Sequence, residues 1–198
     1  MAEAMEQGTI DRRAFVAKLT AACPDSLIVT GLGSTSYDVF AARDEDRTFY
    51  LWGAMGGAAA TGLGLALAQP TRSVLVITGD GEQLMGMGAL ASIGVQQPPN
   101  LSVVVIDNGH FGETGMQRSH TGFGIRLAEV ARACKFSHVM EIAEIGLVDA
   151  LADRINARSG PTFAQVFVSA DDVSRALPPR DGVYVKNRFR AALGLQPM

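Results

Sequence analysis

The sequence predicts an α/β, doubly wound, mostly parallel sheet with helices on both faces, and three observations carry that expectation. Short β-branched or apolar runs alternate with helix-length segments along the chain. Two of these runs, Val74-Leu75-Val76-Ile77 and Val103-Val104-Val105-Ile106, are apolar without interruption, as strands covered on both faces are; a sheet wet on one face would alternate. Pro24, Pro70, Pro98-Pro99 and Gly160-Pro161 punctuate the joints between the segments.

The elements follow in order. A helix over residues 11–22 stops before Pro24, and residues 27–30 form the first strand. It runs into Gly31-Leu32-Gly33-Ser34-Thr35-Ser36, then a short helix over 36–41 and a strand over 48–51. A glycine- and alanine-rich helix over 56–68 ends before Pro70. The strand over 74–78 ends in Gly79-Asp80-Gly81, a helix over 84–96 ends before Pro98-Pro99, and the strand over 101–106 ends in Asp107-Asn108-Gly109. Helices over 125–135 and 146–157 frame a strand over 138–142, and after Gly160-Pro161 comes the last strand, 162–168. From Asp171 the chain is expected to run over the surface as a tail, past Pro178-Pro179, into a short helix over 185–193. The expected organisation is one domain over 1–198 with 171–198 as its tail.

Composition narrows the function. With 198 residues, 47% hydrophobic and 19% charged, the chain can bury one substantial core, and a net charge of −3 gives no footprint for nucleic acid or an anionic membrane. Cys23 and Cys134 stand alone, without the spacing of a zinc or iron–sulfur site, and read as small core residues. The first residues lack a basic flank followed by an apolar stretch. The longest apolar run, 54–68, is too short and glycine-rich to span a bilayer, so a soluble, cytoplasmic protein is expected.

In a doubly wound sheet ligands bind beyond the carboxyl ends of the strands. Three of those ends are chemically unusual here. Gly31 and Gly33 permit close backbone approach, and Ser34, Thr35 and Ser36 add hydroxyls before a helix, which suits a phosphate. Asp80 and Asn108 offer a carboxylate and an amide oxygen, hard ligands suited to Mg²⁺. Taken singly each is an ordinary turn or helix cap. Their spacing, a helix and a returning parallel strand apart, brings them to one sheet edge. Gly31-Leu32-Gly33 lacks the third glycine of a dinucleotide-binding loop.

Gly79-Asp80-Gly81, followed by twenty-five residues and Asp107-Asn108, resembles the signature of thiamine diphosphate enzymes, which carry a GDG, a comparable spacer and an Asn-Asn pair. Asp107 replaces the first asparagine, and the metal-ligand position is kept as Asn108. The resemblance implies thiamine diphosphate and Mg²⁺ as cofactors, with Asp80, Asn108 and the main-chain carbonyl of His110 as metal ligands. It extends to Leu51-Trp52-Gly53-Ala54-Met55, similar to the family segment that grips the aminopyrimidine: the Gly53 carbonyl would accept from its amino group and Met55 would prop the bent cofactor. Without the family, Met55 would read as helix packing. The implied cofactor-binding set is Gly33, Ser34, Thr35, Gly53, Met55, Gly79, Asp80, Gly81, Glu82, Asn108, His110, Phe111 and Gly112. Glu113, with Met55 and Gly53, is the catalytic candidate, and Thr114, Gln117, Arg118 and His120 are candidates for facing substrate. Arg118 would meet a sulfonate or phosphonate; as bland readings, Glu113 caps a helix and Arg118 and His120 are solvated.

The resemblance covers only the diphosphate-binding half of such enzymes, so a partner subunit is implied: a pyrimidine-binding alpha subunit supplying the glutamate that activates the cofactor, in a hetero-oligomer. Gly53 to Gly64 is a candidate contact face. The runs GMGALASIG, IDNG and TGMQ most resemble the branch of sulfopyruvate decarboxylase beta subunits and phosphonopyruvate decarboxylases, which implies decarboxylation of a 3-substituted 2-oxo acid. The stretch from His110 to Thr121 also resembles beta subunits of 2-oxoacid:ferredoxin oxidoreductases, although no cysteine cluster accompanies it. An acetolactate synthase-like carboligase is a further alternative. So is a non-catalytic cofactor-binding partner, for which the acidic Glu82 beside the diphosphate site is the best support.

Overall fold

The protein is described by a computed structural model covering residues 8–198; residues 1–7, on which the absence of a targeting segment partly rests, lie outside the described residues. Six parallel strands form one sheet in the order β2-β1-β3-β4-β8-β7. In chain order the elements are α1 (Arg12–Ala22), β1 (Leu27–Thr30), α2 (Ser34–Ala42), β2 (Thr48–Tyr50), α3 (Ala58–Ala68), β3 (Val74–Gly79), α4 (Asp80–Met85), α5 (Gly88–Gln96), β4 (Leu101–Asp107), β5 (His110–Phe111), β6 (Gln117–Arg118), α6 (Leu127–Ala133), β7 (His138–Ile142), α7 (Val148–Ala157), β8 (Thr162–Phe167) and α8 (Gly182–Ala192). The short β5 and β6 pair antiparallel as a separate hairpin.

The continuous apolar strands are buried on both faces, as their composition requires. On one face Ile28, Leu75, Ile77, Val104 and Val166 pack against Phe15, Val16 and Leu19 of α1 and Leu151 and Ile155 of α7. On the other, Val29, Val74, Val76, Val103 and Phe163 pack against Ala58 and Ala66 of α3, Leu90 and Ile93 of α5 and Leu127 of α6. Each such side chain taken out of water contributes about 1.5–3 kcal/mol before entropy is counted. The chain leaves β1 for β2 on one side, and β3 lies on the other. That reversal opens a crevice beyond the carboxyl ends of β1 and β3.

Three elements differ from expectation. The single helix expected over 84–96 is two, α4 and α5, because the chain turns at Gly86 directly against Gly56; a Cβ on Gly86 would stand 2.1 Å from the Gly56 carbonyl oxygen. The second helix starts at Ser34 rather than Ser36, so the hydroxyls of Ser34 and Thr35 belong to its first turn. The C-terminal helix is docked rather than loose. Asp181 caps it through the Val183 and Tyr184 amides, Phe189 meets Phe49 edge-on at 5.7 Å, and Arg188 pairs with Asp44 at 2.8 Å, covering the edge strand β2. Cys23 and Cys134 are free, and burial pushes the Cys23 thiol up to about 12, as befits a core residue. Among the described residues no helix is long and apolar enough to cross a membrane.

Candidate functional site

A cleft of about 150 Å³ lies at the reversal point, lined by Ser34 and Thr35 of α2, Met55, Gly79 to Glu82, and Asn108 to Thr114 except Gly109. The fold thus gathers thirteen of the candidate residues: Ser34, Thr35, Met55, Gly79, Asp80, Gly81, Glu82, Asn108, His110, Phe111, Gly112, Glu113 and Thr114. Each arrives by a local rule. Gly33 holds φ +76° as the cap of α2 and offers no side chain to its first amides, so those donors are left for a ligand. Met55 is 40% exposed and reaches over Gly81, whose missing Cβ leaves room for the Phe111 ring: a Cβ there would meet that ring at 2.6 Å.

Asp80 opens α4 and is 2% exposed. Its Oδ2 accepts a short hydrogen bond from the Ser119 hydroxyl and lies 3.0 Å from Thr121 Oγ1. Thr121 Oγ1 is also 2.7 Å from Asp107 Oδ1, which takes the Gly109 amide at 2.9 Å, while Asp107 Oδ2 accepts from Gln165 at 2.6 Å. One threonine proton cannot serve two carboxylates. Burial first, and then the neighbouring Asp107 charge, push the Asp80 carboxyl up to about 6, against the hydroxyls of Ser119 and Thr121. Two acids crowded in a dry site are what a divalent cation would relieve. Asn108 Oδ1 accepts the His110 amide at 3.0 Å, leaving its second lone pair for a metal. Among the described residues no group of three or more His, Cys, Asp or Glu could hold an ion; the expected set needs only one carboxylate, with an amide and a main-chain carbonyl.

Glu82 lines the cleft, but its carboxylate is spent on the backbone. Oε2 accepts from Leu32 at 2.7 Å and Oε1 from Ala58 at 3.3 Å, tying the loop after β1 to the start of α3. Burial pushes its carboxyl upward while these amides pull it down. The fit to a metal diphosphate is therefore good: a helix start without a side-chain cap, an orphaned buried Thr35 hydroxyl, and a crowded acid pair.

Five candidates do not line the cleft. Arg118 donates to the Gly122 carbonyl at 2.9 Å and lies 4.8 Å over the Phe123 ring, Gln117 is paired with Thr114, and His120 is exposed. None of these three lines the cleft formed by this chain. Gly53, at φ +72°, and Gly33 stand beside the cleft without lining it, although Glu113 packs against Gly33. Sequence reasoning missed Arg12, Leu32, Ile106 and Val168 in the lining, and Ser119 and Thr121 behind Asp80. Thr121→Val is expected to weaken Mg²⁺ binding about 10- to 100-fold, as loss of a residue that orients a ligand does, and to lower the melting temperature by a few degrees, because its hydroxyl is lost from a buried network. A magnesium titration of the variant followed calorimetrically checks it.

A parallel sheet whose reversal point gathers an uncapped helix start, the buried Asp80 and the half-buried Asn108 has the layout of a diphosphate-binding domain. Residues 31–167 match the family described as thiamine pyrophosphate enzyme, C-terminal TPP binding domain, and the chain belongs to that family. It is 38% identical over 191 residues to a phosphonopyruvate decarboxylase of Streptomyces viridochromogenes, covering 94% of this chain and 47% of that protein. It is 33% identical to a sulfopyruvate decarboxylase subunit beta of Methanothermobacter thermautotrophicus, covering 91% and 94%. The chain thus spans about half of the first relative and nearly all of the second. Among solved structures, a thiamine diphosphate-dependent 4-hydroxybenzoylformate decarboxylase of Rhodococcus jostii shares the fold with a TM-score of 0.70 at 22% identity, over 87% of this chain and 35% of that one.

Proposed function

We propose that this chain is the diphosphate-binding subunit of a cytoplasmic thiamine diphosphate-dependent 2-oxo acid decarboxylase acting on 3-sulfopyruvate or a similar 3-substituted pyruvate. The observation that carries this is the meeting of Asp80, Asn108, the α2 start and Met55 on one cleft. Asp80, the Asn108 amide oxygen and the His110 carbonyl hold Mg²⁺, and the Ser34-Thr35 turn receives the diphosphate. When bound, the cofactor would supply a nucleophilic carbon and an electron sink for decarboxylation of a 2-oxo acid. The residues of this chain position and polarise it. Met55 props its ring, the Gly53 carbonyl orients its amino group, and Glu113, 38% exposed and paired with Arg175 at 3.4 Å, faces the substrate. A partner with a pyrimidine-binding domain supplies the activating glutamate, which closes over Met55 in a water-poor cleft. The names of the relatives support both the substrate class and a beta-type subunit.

The test is CO₂ release from 3-sulfopyruvate, 3-phosphonopyruvate and pyruvate by this chain alone and co-expressed with its genomic neighbour. Decarboxylation of a 3-substituted substrate only in the co-expressed preparation is expected. Robust turnover by the chain alone would remove the shared site, and turnover that needs ferredoxin and coenzyme A would make it an oxidoreductase.

A further inference from the structure

Arg12 belongs to neither the signature nor the segment around Met55. It begins α1, and α1 is held to the end of the sheet where the cleft lies: Ile10 bridges Val168 just beyond β8, and the Ser169 amide donates to the Ile10 carbonyl at 2.9 Å. This brings Arg12 into the cleft lining beside Thr35 and Val168. It is 7% exposed, a rare degree of burial for an arginine. Its Nε has no hydrogen-bond partner among the described residues, and neither does the buried Thr35 hydroxyl in the same lining.

The charge balance shows why this arrangement is incomplete. Arg12 Nε lies 3.4 Å from Asp38 Oδ2 in an ion pair without a hydrogen bond. The same carboxylate, fully buried, already receives Arg13 Nε at 3.1 Å on its other oxygen. One negative charge thus faces two guanidinium groups, and one positive charge is left over. Among the described residues Arg12 is the only lysine or arginine lining the cleft, against the carboxylates of Asp80, Glu82 and Glu113. A buried guanidinium with spare donors beside an orphaned hydroxyl and an anion-accepting helix start calls for an oxyanion with several acceptors.

We propose that Arg12, with Thr35, is a binding residue for the diphosphate of the cofactor, supplying the positive charge that the metal leaves unmatched. The inference rests on the reading of the cleft as a diphosphate site. Diphosphate is favoured over the anionic group of a substrate by depth: Arg12 and Thr35 are 7% and 3% exposed, whereas Met55, proposed to touch the reactive ring, is 40% exposed. The planar guanidinium matches two phosphate oxygens at once, which a lysine cannot do.

The probe is magnesium pyrophosphate, which tests the diphosphate subsite without requiring the pyrimidine half, titrated calorimetrically into the full chain. Arg12→Gln is expected to weaken it about 10- to 100-fold, the loss of one or two charge-assisted hydrogen bonds, and Arg12→Lys less. Because Arg12→Gln leaves Asp38 with one cation fewer, the double variant Arg12→Gln/Asp38→Asn keeps the buried charges balanced and should show the same loss while melting cooperatively. Wild-type affinity in the folded double variant would overturn the proposal. If Asp80→Asn loses pyrophosphate while the Arg12 variants keep it, the diphosphate reading stands and Arg12 alone is wrong; if the wild-type chain binds none, both fall. Unchanged pyrophosphate affinity with a raised KM for 3-sulfopyruvate in the assembled complex would move Arg12 to the substrate and likewise overturn it.

Discussion

Asp80→Asn is expected to raise the melting temperature of the metal-free chain at pH 7 while weakening magnesium-dependent binding of thiamine diphosphate at least about 100-fold, beyond the effect of losing a supporting residue. The two effects have one cause. Burial and Asp107 raise the Asp80 carboxyl in the folded state to about 6, so folding disfavours the charged form that a metal needs. A raised carboxyl costs nothing where it is neutral in both states, below about pH 4. The cost grows as the pH rises and is complete above the folded value, reaching about 1–3 kcal/mol at pH 7. Asn keeps an oxygen for the Ser119 and Thr121 hydroxyls and removes the charge. A rise of roughly 2–12 °C follows for a chain of this size, disappearing at pH 4. Thermal melts at the two pH values, with cofactor calorimetry at pH 7, check it. A purely structural Asp80 would instead give a lower melting temperature and unchanged cofactor affinity.

Glu82→Ala is expected to destabilise the chain by about 2–4 kcal/mol and to weaken the cofactor as well. Its carboxylate holds the Leu32 and Ala58 amides, and removing it orphans one buried and one part-buried donor, less whatever is recovered from no longer burying a charge. The melting temperature should fall by roughly 5–15 °C. The direction of the binding effect separates two roles. A carboxylate pointed at a diphosphate would repel it, so alanine would tighten binding; a carboxylate that fixes the loop carrying Gly31 to Gly33 makes alanine weaken it. Only the second agrees with the observed hydrogen bonds, and it removes the main reason to regard the chain as a non-catalytic partner. Cofactor calorimetry on the folded variant decides between them.

Much of this was legible because it is written locally. The strands Val74–Gly79 and Leu101–Asp107 announce themselves by uninterrupted branched apolar residues, and Asp80 and Asn108 stand out as polar turns at their ends. What was not legible depends on contacts between distant segments. The break between α4 and α5 comes from Gly86 touching Gly56, thirty positions away, and leaves no mark in the periodicity of either helix. Ser119 and Thr121 look like any loop hydroxyls until the chain returns them to Asp80, 39 and 41 positions upstream. Nothing in the sequence marks Arg12; only the Ile10–Val168 bridge shows that its helix begins at the cleft. The contacts of Arg118 were equally hidden in the sequence. Two-residue strands too short to predict form the β5–β6 hairpin and set Arg118 over the Phe123 ring.

The central claim is that this chain carries the metal-diphosphate half of a thiamine diphosphate site. The most direct measurement is calorimetric titration of thiamine diphosphate into the purified complex of this chain with its partner, with Mg²⁺ and again after chelation. The account predicts one cofactor bound per copy of this chain with magnesium present, and binding lost on chelation and in Asp80→Asn. Equally tight binding without a divalent metal, or wild-type affinity in Asp80→Asn, would contradict it.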